Sequence, residues 1–313
     1  MVVANTVAAA RDAAELVDIH YGELPAVATI EAARNDTSPP IWPGLSNNRS
    51  CFWETGDAQA TDALFGNAAH VAKTTVTYPR CIVAFMEPRS AVAQFDETDG
   101  RYVIEAGCQS AHAMQANLAL ALNVANTRVR VIVPDTGGGF GARNVVYPEF
   151  VCALFAARAL GRPVKWTAER SESFVSDTQA RSQRITAELA LDANGAFLAV
   201  RYRVTWRHGG YLAPRSIFVL LAAMPPMVCG PYRIMAQHFA FEGFFTTTTP
   251  IAAYRGVGRT EAGYVLERLI DAGARQTGID ASALRRRNLI APDDMPFASA
   301  AGLNYERALF EHN

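Results

Sequence analysis

The residues best placed for chemistry form two glycine-arginine loops. The first lies in Arg130-Val-Ile-Val-Pro-Asp-Thr-Gly-Gly-Gly-Phe-Gly-Ala-Arg143, where Gly137, Gly138, Gly139 and Gly141 surround one bulky residue, Phe140. Glycines without a side chain let the loop backbone press against a flat or anionic ligand. A loop needing only flexibility would not carry a large ring at its tip, so Phe140 is expected to line or gate something. The second is Pro250-Ile-Ala-Ala-Tyr-Arg-Gly-Val-Gly-Arg-Thr-Glu261, with Arg255 and Arg259. Backbone N–H groups at a loop and helix start favour anions, and arginine adds a forked donor. The bland reading of Arg255 is a surface ion pair with Glu261 or Glu267.

The remaining chemistry-bearing residues are dispersed. The six histidines have no ligand spacing, and each reads as a solvated or core histidine. The five cysteines are scattered and odd in number, which suits neither a disulfide framework nor a zinc or iron–sulfur site and fits a reducing cytoplasm. Cys108 beside His112 is weak evidence for a thiolate. No Gly-x-Ser-x-Gly elbow and no Walker loop occurs. Gly137-x-Gly139-x-x-Ala142 formally satisfies a dinucleotide fingerprint, with Glu169 after strand Val164–Thr167 as the ribose acid. That Rossmann reading needs a helix opening inside the glycine turn, whereas the helical pattern starts near Pro148.

The elements that must position these loops can be read locally. A buried strand of β-branched residues, 129–133, precedes the first loop. Helix Pro148–Leu160, closed by Gly161, and strand Val164–Thr167 complete a βαβ unit. Ser110 caps a helix carrying Met114, Leu118 and Leu122. Strands 184–191 and 197–206 flank Asn194-Gly195, a strong hairpin signal. The stretch 209–235 is irregular and proline-rich. Helix 261–277, with Val265, Leu266, Leu269 and Ile270 inward, follows the second loop, and Asp280 caps another that carries Arg285-Arg286-Arg287 as a solvated face. Near the start, strand fragments at 2–4 and 18–21 flank a helix whose apolar stripe is Ala9, Ala13, Leu16 and Val17. Residues 35–68 are rich in Pro, Asn, Ser and Gly and read as a linker. A chain of 313 residues with net charge −1 gives no electrostatic reason for nucleic acid or an anionic membrane as partner. No apolar run reaches the length of a bilayer span, and the start resembles no signal peptide.

Taken together, Met86-Glu-Pro-Arg89, Gln109, Pro134-Asp-Thr-Gly-Gly-Gly-Phe-Gly141, Gly161-Arg-Pro-Val-Lys165, Arg170-Ser-Glu-Ser-Phe174 and Ala253-Tyr-Arg-Gly-Val-Gly-Arg259 stand in the order seen in molybdenum hydroxylases. The chain resembles the molybdopterin-binding large subunit of the xanthine dehydrogenase, aldehyde oxidase and carbon monoxide dehydrogenase family. The resemblance implies an α+β fold of mixed α/β domains. It divides into a remnant of an α/β-hammerhead domain (1–34), the linker (35–68) and the first part of the molybdopterin-binding domain (69–313), its C-terminal second half absent. It implies molybdenum held by the pterin, so that no protein side chain ligates the metal directly. Gln109 would hydrogen-bond an oxygen on the metal. Gly138 would bind the cofactor, Gly139, Phe140 and Gly141 would pass beside the metal with N–H groups toward its oxygen ligand, and Arg255 would stand next to it. Phe140, Gly256 and Val257 would line the substrate face.

The family reaction hydroxylates an aldehyde or N-heterocycle with water. The pterin is expected in its cytosine dinucleotide form, and electrons leave through 2Fe–2S clusters on a small subunit to FAD on a medium subunit. The catalytic base, a Glu, belongs to a later domain beyond residue 313, so no catalytic residue is expected in this chain. Three departures bear on substrate. Gly256 stands where carbon monoxide dehydrogenases carry Cys, Asn144 where purine oxidisers carry Glu, and Thr247 where Asn is common. The alternatives are a non-catalytic or decayed fragment that completes a site with a partner chain, and the Rossmann-type NAD(P) dehydrogenase.

Overall fold

In a computed structural model the described residues are 1–45, 47–214 and 216–312. The chain runs through α1 (Val7–Glu15), α2 (Ile30–Arg34), β1 (Arg49–Gly56), α3 (Ala58–Gly66), β2 (His70–Cys81), β3 (Ser90–Asp96) and β4 (Arg101–Ala106). Next come α4 (Ala111–Ala121), β5 (Val129–Ile132), α5 (Pro148–Leu160), β6 (Val164–Thr167) and α6 (Arg170–Ser176). The order ends with β7 (Ala180–Leu191), β8 (Phe197–Gly209), α7 (Ser216–Ala223), β9 (Ala236–Phe245), α8 (Arg259–Thr277), α9 (Ala281–Asn288), β10 (Phe297–Ala298) and β11 (Asn304–Tyr305). Two compact units share these elements: 1–25, 82–179 and 252–254 in the first, 26–81, 180–251 and 255–313 in the second. The architecture is mixed α and β, as expected.

The first unit is built on a four-stranded sheet in the order β5-β4-β3-β6. β5 pairs β4 in parallel, through the crossover α4, while β3 pairs both β4 and β6 antiparallel. The expected βαβ unit of β5, α5 and β6 therefore exists in direction but not as neighbours, because β4 and β3 lie between them. The parallel neighbours are β4 and β5. Local signals held where capping chemistry is specific. Ser110 Oγ accepts from Ala113 N–H at the start of α4, and Pro148 opens α5, which Gly161 closes in the left-handed region (φ 60°). α1 forms with Thr6 as its cap, but none of its residues is buried and Leu16 is 84% exposed. The strands expected at 2–4 and 18–21 do not form. Neither has a neighbouring strand to take up its backbone groups, and an isolated strand has no ladder to stabilise it.

The second unit is built on a five-stranded sheet, β1-β9-β8-β7-β2, antiparallel except for the β9–β8 pair. β7 and β8 are joined at Asn194-Gly195 as expected. Asp192 N–H donates to Ala196 O and Gly195 has φ 84°, so the connection is a three-residue loop with glycine at the left-handed position. Val265, Leu266, Leu269 and Ile270 of α8 pack at 0–1% exposure against Ile185, Leu189, Tyr202, Phe239 and Phe241.

Three readings need correction here. Residues 35–68 are not all linker: β1 is an edge strand paired with β9, and α3, capped by Asp57, packs Ala60, Leu64 and Phe65 beside Ala199 and Ala236. Among the described residues of this stretch, the Pro/Asn-rich part up to β1 lacks regular strand or helix. Within the stretch read as irregular, α7 forms between the prolines. Arg285 is not simply solvated, since it bonds Glu267 and Asp271 on α8. No helix among the described residues is long and apolar enough to cross a membrane.

Candidate functional site

The first glycine loop leaves β5 and is held at both ends by the first unit. Arg143, 3% exposed, donates from Nη1 to Glu87 Oε2 at 2.7 Å and from Nη2 to Glu87 O at 2.5 Å. Its guanidinium also lies over the Phe85 ring at 4.5 Å. The same Glu87 Oε2 accepts Gly137 N–H at 2.7 Å, so one carboxylate ties the loop's entry to its exit. Beyond the loop, Tyr147 O–H donates to Ala142 O at 3.0 Å. Burial pushes the Tyr147 hydroxyl up to about 12, which keeps it a donor. Arg89, at 1% exposure, lies over Tyr147 at 3.7 Å and is bonded to Asp177 at 2.7 Å and to both oxygens of Glu149. A buried arginine held by two acids is rigid, and that rigidity passes through Tyr147 to the loop.

Inside this frame the loop backbone is forced into unusual conformations. Gly138, Phe140 and Gly141 have φ of 99°, 48° and 110°. For Phe140 the left-handed conformation costs about 1–2 kcal/mol, a cost that persists only where surroundings dictate it. Gly141 admits no other residue, because a Cβ there would lie 2.3 Å from the Ala253 carbonyl oxygen. Ala253 and Tyr254 thus back the loop directly, and Tyr254 joins Val83, Phe85 and Ala142 in a small apolar cluster. Phe140 remains 46% exposed.

Gln109 completes this arrangement. Its Oε1 accepts Gly141 N–H at 2.7 Å, and its own N–H donates to Arg143 O at 3.1 Å. Because Gly141 N–H can only donate, the atom facing it must be the amide oxygen. Nε2 therefore points away, with no partner among the described residues, and the Gln109 side chain packs so close to Gly139 that no side chain fits there. A Cβ at Gly139 would lie 2.8 Å from Gln109 Cδ. Gly141 N–H is committed to Gln109, while among the described residues Gly139 and Phe140 N–H have no partner. Of the three N–H groups that the resemblance set toward the oxygen ligand, those of Gly139 and Phe140 thus remain without a partner among the described residues. Cys108 is no thiolate, for burial raises its pKa.

The second loop's Arg255, Gly256, Val257 and Gly258 lie in the second unit. Gly256, Val257 and Gly258 all have positive φ (90°, 43° and 81°), and for β-branched Val257 this is a genuine outlier. The ion pair considered for Arg255 is not made. Glu261 pairs with Arg181, Glu267 with Arg285, and among the described residues Arg255 has no ion pair. Its exposed guanidinium is left for something else. Sequence reasoning missed Arg181 and Tyr147, named Glu261 only as a partner for Arg255, and found no role for Glu87, Arg89 or Arg143, although the Met86–Arg89 motif contained two of them. Nothing in the spacing of these residues along the chain announces their contacts.

The molybdopterin cofactor-binding domain family matches residues 43–289, and the chain belongs to that family. The carbon monoxide dehydrogenase large chain of Hydrogenophaga pseudoflava is 32% identical over 320 residues, covering 98% of this chain and 40% of that protein. The 6-hydroxypseudooxynicotine dehydrogenase complex subunit gamma of Paenarthrobacter nicotinovorans is 34% identical over 304 residues, covering 96% of this chain and 37% of its own length. Among solved structures, quinoline 2-oxidoreductase from Pseudomonas putida 86 superposes with a TM-score of 0.89 at 33% identity, covering 97% of this chain and 38% of that one. The chain thus spans about two fifths of the length of these relatives.

The residues present fit the family's cofactor. Among the described residues no three His, Cys, Asp or Glu side chains cluster to bind a metal ion. The donors on offer in the first unit's loop are amide N–H groups, which suit an oxygen-bearing anionic group held in a pterin rather than a bare cation. The dinucleotide alternative fits less well. The glycine turn continues into a short 3₁₀ turn, Ala142–Asn144, and α5 opens only at Pro148, so no helix start faces the glycines.

Proposed function

We propose that this chain forms the molybdopterin-facing part of an oxidoreductase that hydroxylates an aldehyde or an N-heterocyclic compound with water. The observation that carries the reading is Gln109, clamped by Gly141 N–H so that its free amide donors face outward beside the unpaired N–H groups of Gly139 and Phe140. A molybdenum centre bound through the pterin, in the cytosine dinucleotide form, would supply Lewis acidity and a sink for two electrons.

The chain's own residues supply orientation. Gln109 Nε2 and the two loop N–H groups hold an oxygen in place without rearranging, since the Glu87–Arg143 clamp has already fixed the loop. Arg255 presents a guanidinium that pairs with no acid among the described residues. In the first unit Phe140 presents an exposed ring that accepts a flat substrate, and in the second unit Gly256 and Val257 are the residues assigned to the substrate face. The base belongs to the remaining part of the large subunit, which with a 2Fe–2S small subunit and a FAD-binding medium subunit completes a cytoplasmic complex. Gly256 offers no thiol where the carbon monoxide oxidisers are expected to have one, which favours a carbon-centred organic substrate.

The test is co-expression of the chain with its neighbouring reading frames, followed by metal analysis and pterin fluorescence of the purified complex. Molybdenum and pterin together, near one per chain, are expected. A stable complex lacking both overturns the reading.

A further inference from the structure

The second loop has a support that its own sequence does not announce. In β7, Arg181 and Ser182 both occupy the left-handed region, with φ of 65° and 61°. Two consecutive non-glycine residues in that conformation inside a strand cost of order 1–3 kcal/mol each, and persist only where their surroundings hold them. The register with β2 passes from Tyr78↔Gln183 to Arg80↔Arg181, and Trp206 Nε1 donates to Arg181 O at 2.6 Å. The distortion turns the Arg181 side chain toward the start of α8, where its two terminal nitrogens are used separately. Nη1 donates to Glu261 Oε1 at 2.5 Å, and Nη2 donates to Arg255 O at 3.0 Å.

Glu261 is itself fully engaged at 2% exposure. Gln183 Nε2 donates to Oε1 at 3.2 Å, Thr260 Oγ1 to Oε2 at 2.7 Å, and Tyr78 O–H to the Glu261 carbonyl at 3.2 Å. One guanidinium fork therefore binds the first turn of α8 to the carbonyl of the residue that opens the strained 255–258 loop. That loop has no side-chain cap at its helix end, since Gly258 is the N-cap residue. Its internal bonds are few: Arg259 N–H to Gly256 O at 3.1 Å, and Ala262 N–H to Gly258 O at 2.9 Å.

We propose that Arg181 is a positioning residue for the Arg255 loop, acting through the Arg255 carbonyl and Glu261 and not by touching the cofactor. The proposal rests on the molybdopterin reading for its consequence, but its structural core can be tested without cofactor. Lysine at 181 keeps a charge for Glu261, yet a single ammonium cannot reproduce the two-pronged geometry. Arg181→Lys is therefore expected to melt within a few degrees of wild type, while amide exchange at Arg259 and Ala262 speeds up about tenfold, the fold-change for losing one hydrogen bond. Arg181→Gln removes both functions and is expected to lower the melting temperature as well.

In the assembled complex, Arg181→Lys should keep its subunits but lose bound pterin on dilution faster than wild type. Unchanged exchange at Arg259 and Ala262 in Arg181→Lys overturns the proposal, whatever the wild-type complex contains. Faster exchange in Arg181→Lys together with a wild-type complex that carries no pterin would keep Arg181 as the loop's support and remove the cofactor reading instead. Should Arg181→Lys fail to fold, Glu261→Gln gives the second route. It leaves the Arg255 carbonyl bond available and must disturb loop exchange less than Arg181→Gln does, or the proposal is wrong.

Discussion

Gln109→Glu separates holding the loop from holding a ligand. The substitution is isosteric and leaves an oxygen facing Gly141 N–H, now 2.7 Å from an amide oxygen, so the loop keeps its clamp. A charged acceptor makes that bond stronger, not weaker. What disappears is the outward amide, replaced by a carboxylate that only accepts and carries negative charge. Losing a donor to an ionic or strongly polar group costs about 1.5–3 kcal/mol, which corresponds to affinity lower by roughly tenfold to 150-fold. Because Gln109 is exposed, the fold itself should change by no more than about 0.5 kcal/mol. The assay compares melting temperature with molybdenum and pterin content of the co-expressed complex after extensive dilution. Unchanged melting with depleted cofactor is expected. Full cofactor retention in Gln109→Glu, or a collapse of the fold, would refute the assignment of Nε2 as the functional end of the side chain.

Other expectations follow from the same geometry. Gly141→Ala must place its Cβ 2.3 Å from the Ala253 carbonyl oxygen at φ 110°, so a loss of about 2–5 kcal/mol is expected from strain and overlap. Gly263→Ala, in open space within α8, should instead stabilise by about 0.5–1 kcal/mol. Urea midpoints of the two variants check the contrast. His208 is buried among Trp206, Phe241 and Phe245 with neither ring nitrogen bonded among the described residues, and burial alone pushes its pKa from 6.5 down to about 3. The unfolded chain binds a proton below pH 6.5 that the folded chain refuses until about pH 3, so this contribution is complete above pH 6.5 and is lost as pH falls. Between about pH 7 and pH 5 the stability of His208→Leu should therefore gain about 2 kcal/mol relative to wild type, measured by urea unfolding at each pH; a difference independent of pH contradicts it. Arg89→Met leaves Asp177 and Glu149 facing each other without their shared cation, and a loss of about 3–5 kcal/mol with faster exchange around Tyr147 is expected.

Much of the fold was legible because its signals are short-ranged. Ser110, Asp280, Pro148 and Gly161 act on helix ends through bonds to residues at most a few positions away, and the structure places each at its expected end. The Asn194-Gly195 turn works the same way. The α8 stripe was legible because a helix turns apolar residues to one side at a fixed period. The stripe on α1 followed the same rule and none of its residues is buried, since periodicity reports which face could be buried and not whether anything covers it. The βαβ reading paired β5 with β6 as neighbours for a similar reason. Chain order cannot say that β3 and β4 occupy the space between them.

In the two candidate loops the sequence by itself determined the residue types: glycines around Phe140 with a glutamine at 109 in one unit, and Arg255 ahead of Gly256, Val257 and Gly258 in the other. Those words are contiguous, so their order and spacing survive in a linear reading. Only the tertiary structure decided which donors are free. Gly141 N–H is consumed by Gln109, Arg143 is consumed by Glu87, and Glu261 belongs to Arg181 rather than to Arg255. Each of those bonds joins residues that lie 32, 56 or 80 positions apart. A hydrogen bond is a matter of a few tenths of an ångström, and that is set by packing, not by sequence separation.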